Sequence, residues 1–96
     1  MVYIIAQLSF RDRGAYKRYQ ASFMSVLRKF DGRLLAADEH PLVVEGTWDR
    51  EKVVLLSFPD ESAFRRFFEA PEYLEIAKDR KAGADTILLM VHGVSS

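Results

Sequence analysis

Residues 52–58 run Lys-Val-Val-Leu-Leu-Ser-Phe, and this stretch decides the architecture. β-branched and aromatic residues without a breaker form a strand. Side chains along a strand alternate between two faces, so Val53 and Leu55 point one way and Val54 and Leu56 the other. Both faces are apolar. An antiparallel sheet with one wet face alternates apolar and polar residues cleanly, and this strand does not.

Working outward, Asp49-Arg50-Glu51 is a polar reversal, and Leu42 to Trp48 (LVVEGTW) is a second extended piece. Together they predict a hairpin into the strand at 52–58, with Gly46 marking a bulge or a close backbone approach. Further back, Asp38-Glu39-His40-Pro41 is a turn and Arg33 to Ala37 a short strand. Downstream, Pro59-Asp60 opens a helix whose Ala63, Phe64, Phe67 and Phe68 follow helical spacing. Ala70-Pro71 interrupts it, because proline suits a first helical turn but not an interior. A further helical stretch covers Pro71 to Lys81 and ends at Gly83. Asp85 to His92 (DTILLMVH) is the last strand, again apolar on both faces.

The N-terminal part completes the pattern. Val2 to Phe10 (VYIIAQLSF) is a strand, and Asp12 is a helix N-cap whose carboxylate accepts from first-turn amides. Tyr16, Tyr19, Phe23, Val26, Leu27 and Phe30 then recur at three- and four-residue steps, the apolar stripe of an amphipathic helix. Gly32 supplies the left-handed turn after it. The order is β-α-β-β-α-β, with the second strand split at Pro41 and the second helix broken at Pro71. Such an order predicts an α+β, ferredoxin-like layer: a four-stranded antiparallel sheet with helices on one face.

Helices on one face leave the other bare. About six to ten aliphatic or aromatic side chains would stay exposed, each forfeiting roughly 1.5–3 kcal/mol. Their sum rivals the whole net stability of a domain, about 5–15 kcal/mol. A second copy packed sheet to sheet relieves this, since a twofold contact is self-complementary. The expected partner is therefore a homodimer mate; the alternative is a monomer whose loops and broken helix wrap the open face.

Composition narrows the function. Ninety-six residues make one domain, 1–96. Fourteen basic residues balance fourteen acidic ones, and the basic ones form no stripe, which argues against nucleic acid and anionic membranes as partners. There is no cysteine, hence no disulfide and no thiolate chemistry. Val2 to Leu8 is too short for a membrane span and lacks the marks of a signal peptide, so a cytoplasmic setting is expected. No phosphate loop, nucleophile elbow or paired-histidine helix occurs, which argues against nucleotide and serine-type hydrolysis and calls for no cofactor. His40 and His92 lack metal-ligand spacing, so no metal is expected.

Several segments resemble one family. They are Asp12-x3-Tyr16-x2-Tyr19, Phe30-Asp31-Gly32-Arg33-Leu34-Leu35, Val44-Glu45-Gly46-Thr47-Trp48, Val53 to Pro59, Ala70-Pro71-Glu72-Tyr73, and Arg80. Together they resemble the domain-of-unknown-function 1330 family of the dimeric α+β barrel superfamily, over nearly the whole chain. The resemblance implies two face-to-face sheets, in agreement with the face count, and it implies no activity. Asp31, Phe68 and Ala70 depart from the usual family residues without threatening the fold.

The candidate site residues follow from the strands and helices. Glu45 is a carboxylate within an apolar strand; in a half-buried pocket its pKa would rise and suit general acid–base catalysis, while at a sheet edge it would be an ordinary paired carboxylate. Trp48, the single tryptophan, is either a wall for a flat ligand or a packing anchor. Tyr19 faces the sheet and offers a phenol to a helix–sheet pocket, or is simply core. Tyr73, Ala77 and Arg80 share a helix face, and Arg80 would hold a ligand anion, Glu45, or a structural ion-pair partner. The leading expectation is one pocket lined by Glu45, Trp48, Tyr19 and Arg80, holding a small organic molecule for proton transfer or for binding alone. A structural dimer without a pocket is the remaining alternative.

Overall fold

In the computed structural model, which describes residues 1–94, the chain forms β1 (Val2–Phe10), α1 (Arg13–Arg28), β2 (Arg33–Asp38), β3 (Lys52–Phe58), α2 (Glu61–Glu69), α3 (Pro71–Gly83) and β4 (Ala84–His92). The sheet order is β2-β3-β1-β4, with every neighbouring pair antiparallel. This is the ferredoxin-like α+β fold.

Local chemistry sets the helix ends. Asp12 accepts from the amides of Gly14 (3.0 Å) and Ala15 (3.2 Å), and Asp60 from that of Ala63 (2.8 Å). Ala70 is extended (φ −66°, ψ 139°) and closes α2 while starting α3, since the residue before a proline is pushed out of the helical region. Pro71 thus divides the expected broken helix into two helices. The left-handed residue after α1 is Asp31 (φ 64°) rather than Gly32; at Gly32 a Cβ would collide with the side chains of Leu27 and Phe58.

The pleat sorts the sheet as its sequence demands. Val2, Ile4, Ala6 and Leu8 are buried beneath the helices, in line with Phe58, Leu56, Val54 and Lys52 of β3. Tyr3, Ile5 and Gln7 point to the other face, which no helix covers. There Ile87, Leu89 and Val91 are 40%, 45% and 39% exposed. On the covered side Phe67 is the hub, its ring 4.4 Å from that of Tyr73 and 5.4 Å from that of Phe58.

Leu42 to Trp48 does not form a strand, and the expected hairpin is absent. β2 pairs with Val53 to Ser57 of β3 through Arg33 to Asp38, and β1 takes the other edge of β3. Both edges of β3 are therefore occupied. Residues 39–51 form the β2–β3 connection instead, pinned by Glu51 N–H to Leu8 C=O (2.7 Å) and by Arg50 to Asp85 (3.1 Å). Gly46 adopts φ 92° with open space where a Cβ would stand, so it serves a reversal and not a close approach. No helix of the described residues is long and apolar enough to cross a membrane.

Candidate functional site

A cavity of about 250 Å³ lies between the helices and the covered face of the sheet. Its floor includes Ile4, Ala6, Val54 and Leu56, and its roof the rings of Phe23, Phe67 and Phe68. The short side chains of Ala6 and Ala37 leave the space open beneath the larger roof residues. Exposed Gln20 of α1 and Leu34 of β2 also belong to the lining, so the cavity opens to solvent beside them.

One end of the cavity is polar. The hydroxyls of Tyr19 and Tyr73 are hydrogen-bonded at 2.9 Å, and Arg80 Nε donates to Tyr73 Oη at 3.3 Å. All three residues are buried, at 7%, 3% and 7% exposure. Burial raises the Tyr19 phenol well above its ordinary pKa, helped by the adjacent Tyr73 hydroxyl and opposed by Arg80. Burial also pushes Tyr16 up to about 12, with Glu39 adding to the rise and Arg80 opposing it.

Lys52 adds a second cation to the lining, at a position that strand propensity alone does not mark out. It is 4% exposed, lines the cavity, and holds Nζ 4.8 Å from the centroid of the Tyr16 ring. Burial lowers its pKa, and Glu39 offsets part of that. A usable signal was present. Lys52, Val54, Leu56 and Phe58 share one strand face, and three of the four are apolar.

The predicted single pocket divides in two. Tyr19, Tyr73 and Arg80 line the helix–sheet cavity; Glu45 and Trp48 do not. Trp48 lies over the opposite sheet face, where its Nε1–H donates to Gln7 Oε1 at 3.0 Å. Glu45 is exposed on the 39–51 connection and borders, with Trp48, Val44 and Val53, a shallow open hollow. Glu45 lacks the strand environment expected of it, and pairing with Glu45, one of the roles open to Arg80, is not seen. The separation follows from the loss of the 42–48 strand: without it nothing aims Glu45 at the sheet interior. His92 approaches Glu61 at 3.7 Å, and His40 N–H is held by Asp38 at 2.8 Å. Among the described residues no group of three or more His, Cys, Asp or Glu side chains is placed to hold a metal.

The sequence matches the domain of unknown function DUF1330 over residues 1–94. The chain belongs to that family. Among curated proteins nothing matches it. Solved structures share the DUF1330 chain's fold at low identity. A protein of unknown function from Rhodopseudomonas palustris superimposes with a TM-score of 0.83 at 18% identity, covering 99% of this chain and 83% of its own. SnoaB, a cofactor-independent oxygenase from Streptomyces nogalater, gives 0.68 at 13% identity, with 99% and 94% covered. A dimeric ferredoxin-like protein of unknown function from Jannaschia sp. CCS1 gives 0.70 at 13% identity, with 96% and 98% covered. At these identities the likeness is one of fold.

Proposed function

We propose that this DUF1330 chain is a homodimer that binds a small organic molecule in the helix–sheet cavity of each protomer. The cavity carries the reading: an apolar, aromatic-walled space with a few convergent polar groups is the usual form of a small-molecule site. At about 250 Å³ it falls just below the roughly 300–1,000 Å³ common for drug-sized ligands, so its occupant is small. The ionisable groups around it are three phenols, an ammonium and a guanidinium, all of them donors at neutral pH. That inventory favours holding a ligand over abstracting a proton from it, and Glu45 stands outside the cavity.

The dimer rests on the uncovered sheet face. Ile87, Leu89 and Val91 stand exposed beside half-buried Tyr3, Ile5 and Leu55, a contiguous apolar surface of the kind that marks an interface. Leu42 and Val44, 86% and 90% exposed, add apolar surface on the connection that borders this face. The Jannaschia protein of the same fold is itself described as dimeric, which supports a dimer here.

Filling the cavity tests the function. Ala6→Leu and Ala37→Leu place extra methyl groups in its floor and near its mouth. A panel of small aromatic and aliphatic compounds is expected to raise the melting temperature of the wild type, and both variants are expected to lose that response. Retained ligand stabilisation in both would place binding elsewhere and overturn the reading.

A further inference from the structure

We infer that the cavity accepts an organic monoanion, a small carboxylic acid whose carboxylate meets Lys52 and Arg80 while its apolar tail lies among the phenylalanines. This deepens the proposed binding function and rests on it. Among the described residues Lys52 and Arg80 are the two buried basic side chains, and both line the cavity. The ion pairs among the described residues all involve other side chains. Arg80 spends only Nε, on a neutral phenol, and its terminal nitrogens donate to no described protein atom. Lys52 has an aromatic face beneath its ammonium and no described hydrogen-bond acceptor.

The unpartnered nitrogens of both side chains are not shut away from solvent, so they remain reachable from the cavity, and a largely desolvated cation gains from a counter-charge. The carboxylate that acts on Lys52 is Glu39, which is engaged by Arg13 at 3.2 Å on the surface. The remaining polar neighbours at this end are the Tyr16, Tyr19 and Tyr73 hydroxyls, which supply donors and no negative charge. Lys52 lies over the Tyr16 ring, while Arg80 donates to Tyr73, whose hydroxyl meets that of Tyr19, the ring neighbour of Tyr16 at 5.7 Å. A cleft with low-dielectric walls and uncompensated positive charge concentrates anions. Guanidinium forks match carboxylate geometry. Beside these groups Phe23, Phe67, Phe68 and Leu56 line the cavity with only apolar contact, which selects an acid with a hydrophobic body over an inorganic ion.

The test compares acids with their neutral isosteres on the intact protein at pH 7 by calorimetry. Phenylacetate and phenylacetamide form one arm, octanoate and octanamide the other, with inorganic phosphate as the bare anion. At least one acid is expected to bind about tenfold or more tightly than its amide, as befits a charged hydrogen bond. The preferred arm then separates an aromatic from an aliphatic source. Lys52→Met keeps the aliphatic stem, and is expected to weaken the acid about tenfold more than it weakens the amide. The wild-type comparison stands even if that variant folds poorly. Equal affinity for acid and amide, or phosphate binding as well as the acids, would overturn the anion inference and leave the cavity reading in place. Failure of all four organic compounds to bind would overturn both.

Discussion

The phenolic oxygens of Tyr19 and Tyr73 meet at 2.9 Å inside the core, joining α1 to α3 across 54 residues of sequence. Arg80 Nε extends the link by donating to Tyr73 Oη at 3.3 Å. Three polar side chains thereby satisfy one another where apolar packing alone would be the default, and they define the polar end of the cavity.

Removing the middle hydroxyl costs more than removing the outer one. Tyr73→Phe leaves Arg80 Nε buried without its acceptor and is expected to destabilise the fold by about 1–3 kcal/mol. Tyr19→Phe removes one neutral hydrogen bond, worth about 1 kcal/mol. Urea unfolding of both variants measures the difference; equal losses would mean that the Arg80 contact contributes nothing.

Alkaline pH should expose the buried phenols. The Tyr16 pKa rises from 10.0 to about 12 on folding, so the unfolded chain releases this proton first. Stability from Tyr16 is intact below pH 10 and is lost as the pH climbs through about 12. Tyr19, also raised, acts in the same direction, while the lowered pKa of Lys52 acts weakly against it. Denaturation midpoints between pH 9 and 11.5 should fall for the wild type and fall less for Tyr16→Phe; parallel curves would contradict the assignment.

Gly83 marks the closest approach of α3 to the start of α1. A Cβ there would lie 2.6 Å from the Tyr16 nitrogen and 2.8 Å from the Asp12 carbonyl oxygen, both backbone atoms that cannot move aside cheaply. The Gly83 carbonyl also accepts from Arg11 (2.8 Å) and Asp12 (3.1 Å). Gly83→Ala is expected to cost about 1–3 kcal/mol through overpacking, although alanine favours helices. A melting temperature at or above that of the wild type would show the contact to be relaxed.

Leu89 stands opposite Ile5 in the β1–β4 register, midway along the uncovered face. Leu89→Arg should weaken the proposed homodimer by roughly 2–4 kcal/mol, the scale of a central interface residue. Sedimentation would then show single subunits at micromolar concentration, with an unchanged circular dichroism spectrum. Trp48, hydrogen-bonded to Gln7 on the same face, reports the event as a red shift in fluorescence. A wild type that already sediments as one subunit would remove the proposed interface.

The elements that were legible in the sequence carry their own periodic signal. The stripe from Tyr16 to Leu27, the alternation in Val2 to Leu8 and the proline break at 71 each depend on neighbours in the chain, so α1, β1 and the α2–α3 boundary followed directly. Leu42 to Trp48 has the composition of a strand, yet it lies outside the sheet. Strand propensity describes a residue's fit to a pleated surface, and only the pairing of β3 with β1 and β2 decides whether an edge is left to join.

The site divides along the same line. Sequence spacing alone placed Tyr73 and Arg80 on one helix face and Tyr19 on the inner face of another, because helical geometry is local. The apolar strands likewise determined that the side of the sheet without helices is apolar. The meeting of Tyr19 with Tyr73, the burial of Lys52 against Tyr16 and the removal of Glu45 from the cavity were decided by tertiary structure. Each depends on which long-range surfaces pack together, and no short window of sequence contains that information.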